Sequence, residues 1–129
     1  MSNLTGLIEL KQRENFLSGG LPSALGGLST LQLLNISRNN LEGNIPYQFS
    51  QLKALFAVYL SKNEFLGEIH QVFSTLQQRR RLDLSNNKFS GNIPNNIGDY
   101  SNLKLLDVGY NQVSRCHCKW LAFINYSSI

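Results

Sequence analysis

Few side chains in this 129-residue chain have types and spacings that suggest chemistry. Cys116, His117 and Cys118 are a run of potential metal donors. Neighbouring donors on one segment face different ways, and structural zinc takes four ligands. No metal site is therefore expected. His70 and His117 have no acid or nucleophile at a spacing that would set up proton transfer. Asp83 and Asp107 are 24 residues apart. If folding brought them together they would shift each other's pKa, but on an open surface such a pair is simply solvated. The chain has no phosphate-cradling glycine loop and no kinase signature. The expectation is a protein that is not an enzyme and needs no cofactor.

The totals narrow the choice of partners. Twelve basic and eight acidic residues give a formal net charge of +4, scattered along the chain. The one basic run, Arg79-Arg80-Arg81, is too short to mark a nucleic-acid or membrane patch. The first residues lack the basic and apolar stretches of a signal peptide. No run approaches the roughly 18 apolar residues of a membrane span. The length suits one domain.

A repeat organises the chain. Asn15, Asn39, Asn63, Asn87 and Asn111 recur every 24 residues. Leu17, Leu41, Phe65, Phe89 and Val113 keep the same step, as do Gly19, Gly43, Gly67 and Gly91. Leu10, Leu34, Val58, Leu82 and Leu106 form a further column, and Leu4, Leu28, Leu52, Leu76 and Tyr100 open the repeats. Leu34-x-Ile36 and Leu82-x-Leu84 alternate with step two, the period of a short strand. Leu28-x-x-Leu31-x-x-Leu34 has step three, which suits tight or 3-10 turns feeding the strand. The Asn column is polar at an otherwise inward position. A buried amide must be hydrogen-bonded, so this column reads as a ladder that satisfies turn backbone from coil to coil. Pro22, Pro46 and Pro94 lack an N–H and mark where a ladder stops. No coil can bury its own apolar edge, so the coils must stack.

The stretch from Leu28 to Pro46, with Leu31, Leu34, Ile36, Asn39, Leu41, Gly43 and Ile45 in place, resembles the plant-specific leucine-rich repeat. Leu82-Asp83-Leu84-Ser85 through Ile93-Pro94 resembles it as well. The Gly-x-Ile-Pro ending separates this class from ribonuclease-inhibitor and toll-type repeats. The family includes receptor-like kinases, receptor-like proteins and polygalacturonase inhibitors. The resemblance implies an α/β-type repeat solenoid with a five-strand parallel concave sheet and a convex side rich in 3-10 helices and turns. It also implies added structure on the flank and ligands on the concave or lateral surface. The array is expected over residues 4–113, followed by a non-repeat tail at 114–129.

Departures from the pattern carry their own expectations. Gln12 replaces a strand Leu near an open end and should be partly buried. Arg79 replaces an inward Leu (compare Leu31, Leu55 and Leu103) and should run its stem out to solvent. His70 stands where Pro is expected, and Arg115, His117 and Cys118 fill the Gly, Ile and Pro columns of the last repeat. The tail, with Trp120, Leu121, Phe123 and Ile124, is either an apolar cap on the last coil or sequence with no structural role. Uncapped solenoid ends expose core, so the chain is expected to be marginal alone or part of a longer protein.

Strand alternation names the outward positions. These are Lys11 and Arg13 in the first repeat, then Asn35 and Ser37 flanked by Gln32 and Arg38. Tyr59, Ser61 and Lys62 follow, then Asp83, Ser85 and Asn86, then Asp107, Gly109 and Tyr110. Strands about 4.8 Å apart would give a strip on the order of 20 Å, enough for a few residues of extended peptide. The candidate ligand contacts are Arg38, Tyr59, Lys62, Asp83, Asp107 and Tyr110, with Tyr and Arg the usual anchors. Asn3, Asn35 and Asn125 begin N-x-Ser/Thr triplets and are candidate glycosylation sites if the chain is secreted. Asn35 points outward on the strand count and is the leading acceptor among these, and a glycan there would block part of the strip.

The expected function is non-catalytic recognition of a protein or peptide, possibly with a co-receptor, by a fragment or relative of a plant receptor-like ectodomain in signalling or defence. The parent family is extracellular or at the plasma membrane. Alternatives are an inhibitor of a cell-wall-degrading enzyme, an intracellular scaffold or a gene remnant.

Overall fold

The computed structural model describes residues 6–75, 79–93, 103–114 and 124–125. Asn3, Leu4, Leu76, Pro94, Tyr100, Cys116, His117, Cys118 and Trp120 lie outside them, as does the side chain of Asn125.

Each coil begins with a short strand where step-two alternation places one. These strands are β1 (Glu9–Lys11), β3 (Leu33–Asn35), β5 (Ala57–Tyr59), β7 (Arg81–Asp83) and β9 (Leu105–Asp107). Each pairs in parallel with the next, for example Leu34↔Val58 and Val58↔Leu82. The five repeat strands form the expected parallel sheet, and a sixth strand joins its edge. The sixth, β11 (Ile124–Asn125), comes from the tail and pairs Ile124↔Leu106, 18 residues away instead of 24. A second, five-stranded parallel sheet runs along the flank after the Asn column. It comprises β2 (Ser18–Gly19), β4 (Asn40–Gly43), β6 (Glu64–Glu68), β8 (Lys88–Asn92) and β10 (Gln112–Ser114).

Step-three spacing produces stacked tight turns on the third side. Leu25 N donates to Pro22 O, Leu28 N to Leu25 O and Leu31 N to Leu28 O, at 3.1, 3.1 and 3.0 Å. The next coil repeats this through Pro46, Phe49, Leu52 and Leu55. The 3-10 helices η1 (Ser23–Gly27) and η2 (Tyr47–Gln51) open these stacks, each behind a proline. The third coil differs. His70 stands in the proline position, and an α-helix, α1 (Ile69–Thr75), replaces the 3-10 turn.

The inward columns meet in one core. Leu34, Val58, Leu82 and Leu106 are each at most 1% exposed and belong to one cluster. Phe65 and Phe89, one coil apart in the same column, stack with ring centroids 6.5 Å apart. Asn39, Asn63, Asn87 and Asn111 are buried among these apolar side chains. The Oδ1 of Asn63 accepts Leu41 N–H of the preceding coil at 3.0 Å, and its Nδ2 donates to Ile36 O and Leu60 O. Asn39, Asn87 and Asn111 make the same contacts one coil along. Asn15 does not. It is exposed, no strand pairs with β1 on its outer side among the described residues, and its Nδ2 turns to Gln12 Oε1 and Arg13 O. The cross-coil ladder seen here therefore has four rungs instead of five.

Two further expectations are corrected at departures from the repeat. Gln12 is exposed, not partly buried, at this same edge. Arg79 does not reach solvent. It is 3% exposed, and its Nη1 and Nη2 donate to Leu55 O at 2.9 Å and Phe49 O at 3.0 Å. Burial pulls its pKa below the usual guanidinium value. The two charge-assisted bonds offset part of the desolvation cost, while Nε is buried with no hydrogen-bond partner.

Candidate functional site

The outer face of the six-stranded sheet gathers the sequence-named residues through a backbone device. Glu14, Arg38, Lys62, Asn86 and Tyr110, each just before the Asn column, have φ between 54° and 59°. A left-handed conformation costs an L-residue about 1 kcal/mol. The fold offsets it with cross-coil hydrogen bonds, since Arg38 N donates to Ser61 O at 2.9 Å and Lys62 N to Ser85 O at 3.1 Å. Arg38 and Lys62 thus stand at equivalent points of neighbouring coils, at the rim of the sheet.

A second local device orders the strand ends. Asn35 Oδ1 accepts from Ser37 N and Ser37 Oγ, and Asp83 Oδ1 accepts from Ser85 N and Ser85 Oγ. Asp107 Oδ1 accepts from Gly109 N at 2.9 Å. Asp83 and Asp107 are register partners on β7 and β9, and each carboxylate fastens its own turn. Ser37 and Ser85, expected to face outward, are buried beneath these caps.

Arg13, Asn35, Arg38, Tyr59, Lys62 and Asp83 line an open cavity of about 390 Å³, together with Ser37, Ser61 and Ser85. Four of the six candidate ligand contacts therefore share one cavity. Asp107 and Tyr110 are not in its lining. They lie on the last repeat, where Tyr110 is 54% exposed. Arg13 belongs to the cavity although strand alternation ranked it only as outward. Glu14 was not singled out, yet its Oε1 is 3.3 Å from Arg13 Nη2 and 3.6 Å from Arg38 Nε. All three side chains are about half exposed, so these pairs are weak. Lys62 forms no ion pair among the described residues. Arg13, Arg38 and Lys62 against Asp83 leave the lining net positive.

His70 has a partner that sequence spacing did not reveal. Its Nδ1 is 3.1 Å from Glu68 Oε2 on the flank, with both side chains half exposed. No helix among the described residues is long and apolar enough to cross a membrane.

Comparison with known proteins matches this architecture. The leucine rich repeat family profile matches residues 5–65, and a second leucine rich repeat profile matches residues 80–100. No curated protein matches the chain. Among solved structures, the ectodomain of the receptor kinase SOBIR1 from Arabidopsis thaliana is 34% identical. That match has a TM-score of 0.76 and covers 92% of this chain and 67% of that one. The Arabidopsis receptor kinase HAESA, solved with the peptide hormone IDA and the co-receptor SERK1, is 37% identical with a TM-score of 0.77. The plant peptide hormone receptor RGFR1, solved with RGF2, is 35% identical with a TM-score of 0.79. Each of these two matches covers 88% of this chain, but only 19% of HAESA and 18% of RGFR1. With its stacked 24-residue coils and these matches, the chain belongs to the leucine-rich repeat family, in the company of plant receptor kinase ectodomains.

Proposed function

We propose that the chain is a non-catalytic recognition module that binds a peptide or protein ligand along its six-stranded sheet. The observation that carries this reading is the cavity joining Arg13, Arg38, Tyr59, Lys62 and Asp83 across successive coils. Ser37 and Ser85 in its lining are buried and hydrogen-bonded, while Arg13, Arg38, Tyr59 and Lys62 give it a cationic and aromatic character. Arg38 and Tyr59 are the anchors, because planar, amphipathic side chains bind with little loss of conformational freedom. Asp107 and Tyr110 extend the strip by one coil. In this reading the chain is part of an extracellular receptor-like ectodomain acting in signalling or defence, with a co-receptor as second partner. HAESA and RGFR1, each solved with a peptide hormone, support it by similarity.

Asn35 is the glycosylation candidate with a described side chain, and it lies in the cavity lining. A glycan there would occupy the ligand's place, so the ligand-competent form carries Asn35 unmodified. The test is to select peptides from a displayed random library against the chain. Arg38→Ala and Tyr59→Ala should each weaken the selected peptides about tenfold, a loss of about 1.4 kcal/mol. Unchanged affinity in both variants would remove this face from the proposal.

A further inference from the structure

The flank carries a second feature, beside the coil in which α1 replaces the 3-10 turn. Between the first two coils the convex elements touch closely. A Cβ on Gly26 of η1 would stand 2.5 Å from Gln48 O of η2, so only glycine fits there. Between η2 and α1 the packing is looser. Residues of η2, β6 and α1 line a groove of about 500 Å³, with Asn44, Pro46, Tyr47, Leu66, Glu68 and Val72 among its walls.

The groove wall is unusual for a surface exposed to water. Tyr47 is 73% exposed and Leu66 44%, and both face the same cavity. Large apolar side chains that border one concavity are the features a partner covers. The charge is equally specific. Glu68 is the only charged residue in the lining; its Oε2 is 3.1 Å from His70 Nδ1 in a half-exposed pair, and neither Lys nor Arg joins the lining. Glu42 and Glu64 lie on β4 and β6 of the same flank, and Lys88 of β8 is paired to Glu64. The described strands of this flank are therefore net negative, on a chain whose formal net charge is +4. Complementarity selects a cationic occupant.

We propose that this groove docks an extended basic segment of a partner protein, with an apolar side chain entering beside Tyr47 and Leu66 and an adjacent Lys or Arg meeting Glu68. The site is separate from the cationic cavity on the six-stranded sheet, and it selects the opposite charge.

The experiment uses the full chain, 15N-labelled, and two probes, acetyl-Ala-Lys-Phe-Ala-amide and acetyl-Ala-Glu-Phe-Ala-amide. The lysine peptide is expected to move the amide signals of Leu66, Gly67, Glu68 and Gln71 and to bind at least fivefold more tightly than the glutamate peptide. Glu68→Gln should remove that preference while leaving distant signals in place, which shows the fold is intact. Leu66→Ser should weaken both peptides. Equal affinity of the two peptides for the unaltered chain would overturn the proposal. So would shifts confined to the six-stranded sheet, or no localised shift at all. Concentration-dependent shifts of these amides without peptide would assign the groove to a second copy of the chain and equally overturn it.

Discussion

The guanidinium of Arg79 donates to the carbonyl of Leu55 at 2.9 Å, one coil back and in its own column. A leucine position has thus been taken by a cation that ties two coils together from inside. Three changes are grouped in this part of the array: His70 for proline, an α-helix for a 3-10 turn, and Arg79 for leucine. Buried ion-bearing side chains often yield to apolar ones without loss, whereas removing them outright leaves a cavity and stranded acceptors. Arg79→Ala is therefore expected to lower unfolding free energy by about 3 kcal/mol. Arg79→Leu, which restores the column, should stay within about 1 kcal/mol of the parent. Urea unfolding of both variants checks this, and equal losses would mean that the hydrogen bonds matter more than the packing.

The Asn ladder predicts a strong dependence on position. Asn63→Ala leaves Leu41 N–H without its acceptor and Ile36 O and Leu60 O without its amide. A buried group left unsatisfied costs about 1–3 kcal/mol, so a loss of at least about 2 kcal/mol is expected. Asn15→Ala touches only exposed bonds within its own turn and should cost under about 0.5 kcal/mol. Similar losses at both positions would contradict the cross-coil role.

Two glycines separate strain from space. Gly67 has φ 115°, and a Cβ there would stand 2.5 Å from Asn44 Oδ1. Gly67→Ala should cost about 1–3 kcal/mol through backbone strain and the shift forced on Asn44. A Cβ on Gly27 would meet nothing within 4 Å. Gly27→Ala should be neutral or stabilise by up to about 1 kcal/mol, by restricting the unfolded chain. Thermal melts of the pair decide it.

The flank sheet gives a pH-dependent signature. The pKa of Lys88 is raised, first by its hydrogen bond to Glu64, then by the charge of Glu64, with a smaller contribution from Glu42. A base whose pKa is higher in the folded state contributes stability that is fully present below its unfolded value, near 10.5. That contribution is lost as pH rises through the raised folded value. Titration of the Lys88 ε-CH₂ by NMR should show the rise, and Glu64→Gln should bring it back toward the ordinary lysine range. An unchanged titration in that variant would place the cause elsewhere.

Much of this architecture was legible because stacked coils turn period into position. The inward column Leu34, Val58, Leu82, Leu106 and the turn residues Leu28 and Leu31 need only steps of two, three and 24. What sequence could not supply are contacts between coils. The burial of Arg79 depends on carbonyls at Phe49 and Leu55 that lie 30 and 24 residues away. Ser37 is buried with its Oγ donating to Asn35 Oδ1, a contact that strand alternation does not encode. The sixth strand breaks the 24-residue step, so no column announces it. The outward residues around Arg38 and Tyr59 were nameable one by one. That Arg13 joins their cavity, and that Glu14 sits beside both arginines, depends on how neighbouring coils stack, which no column states.

The most direct test of the recognition surface is amide chemical-shift mapping of the labelled chain with a library-selected peptide. The account predicts localised shifts at Asn35, Arg38, Tyr59, Lys62 and Asp83, with the convex residues of η1 and η2 unmoved. Shifts confined to η1 and η2, with the six-stranded sheet silent, would contradict it.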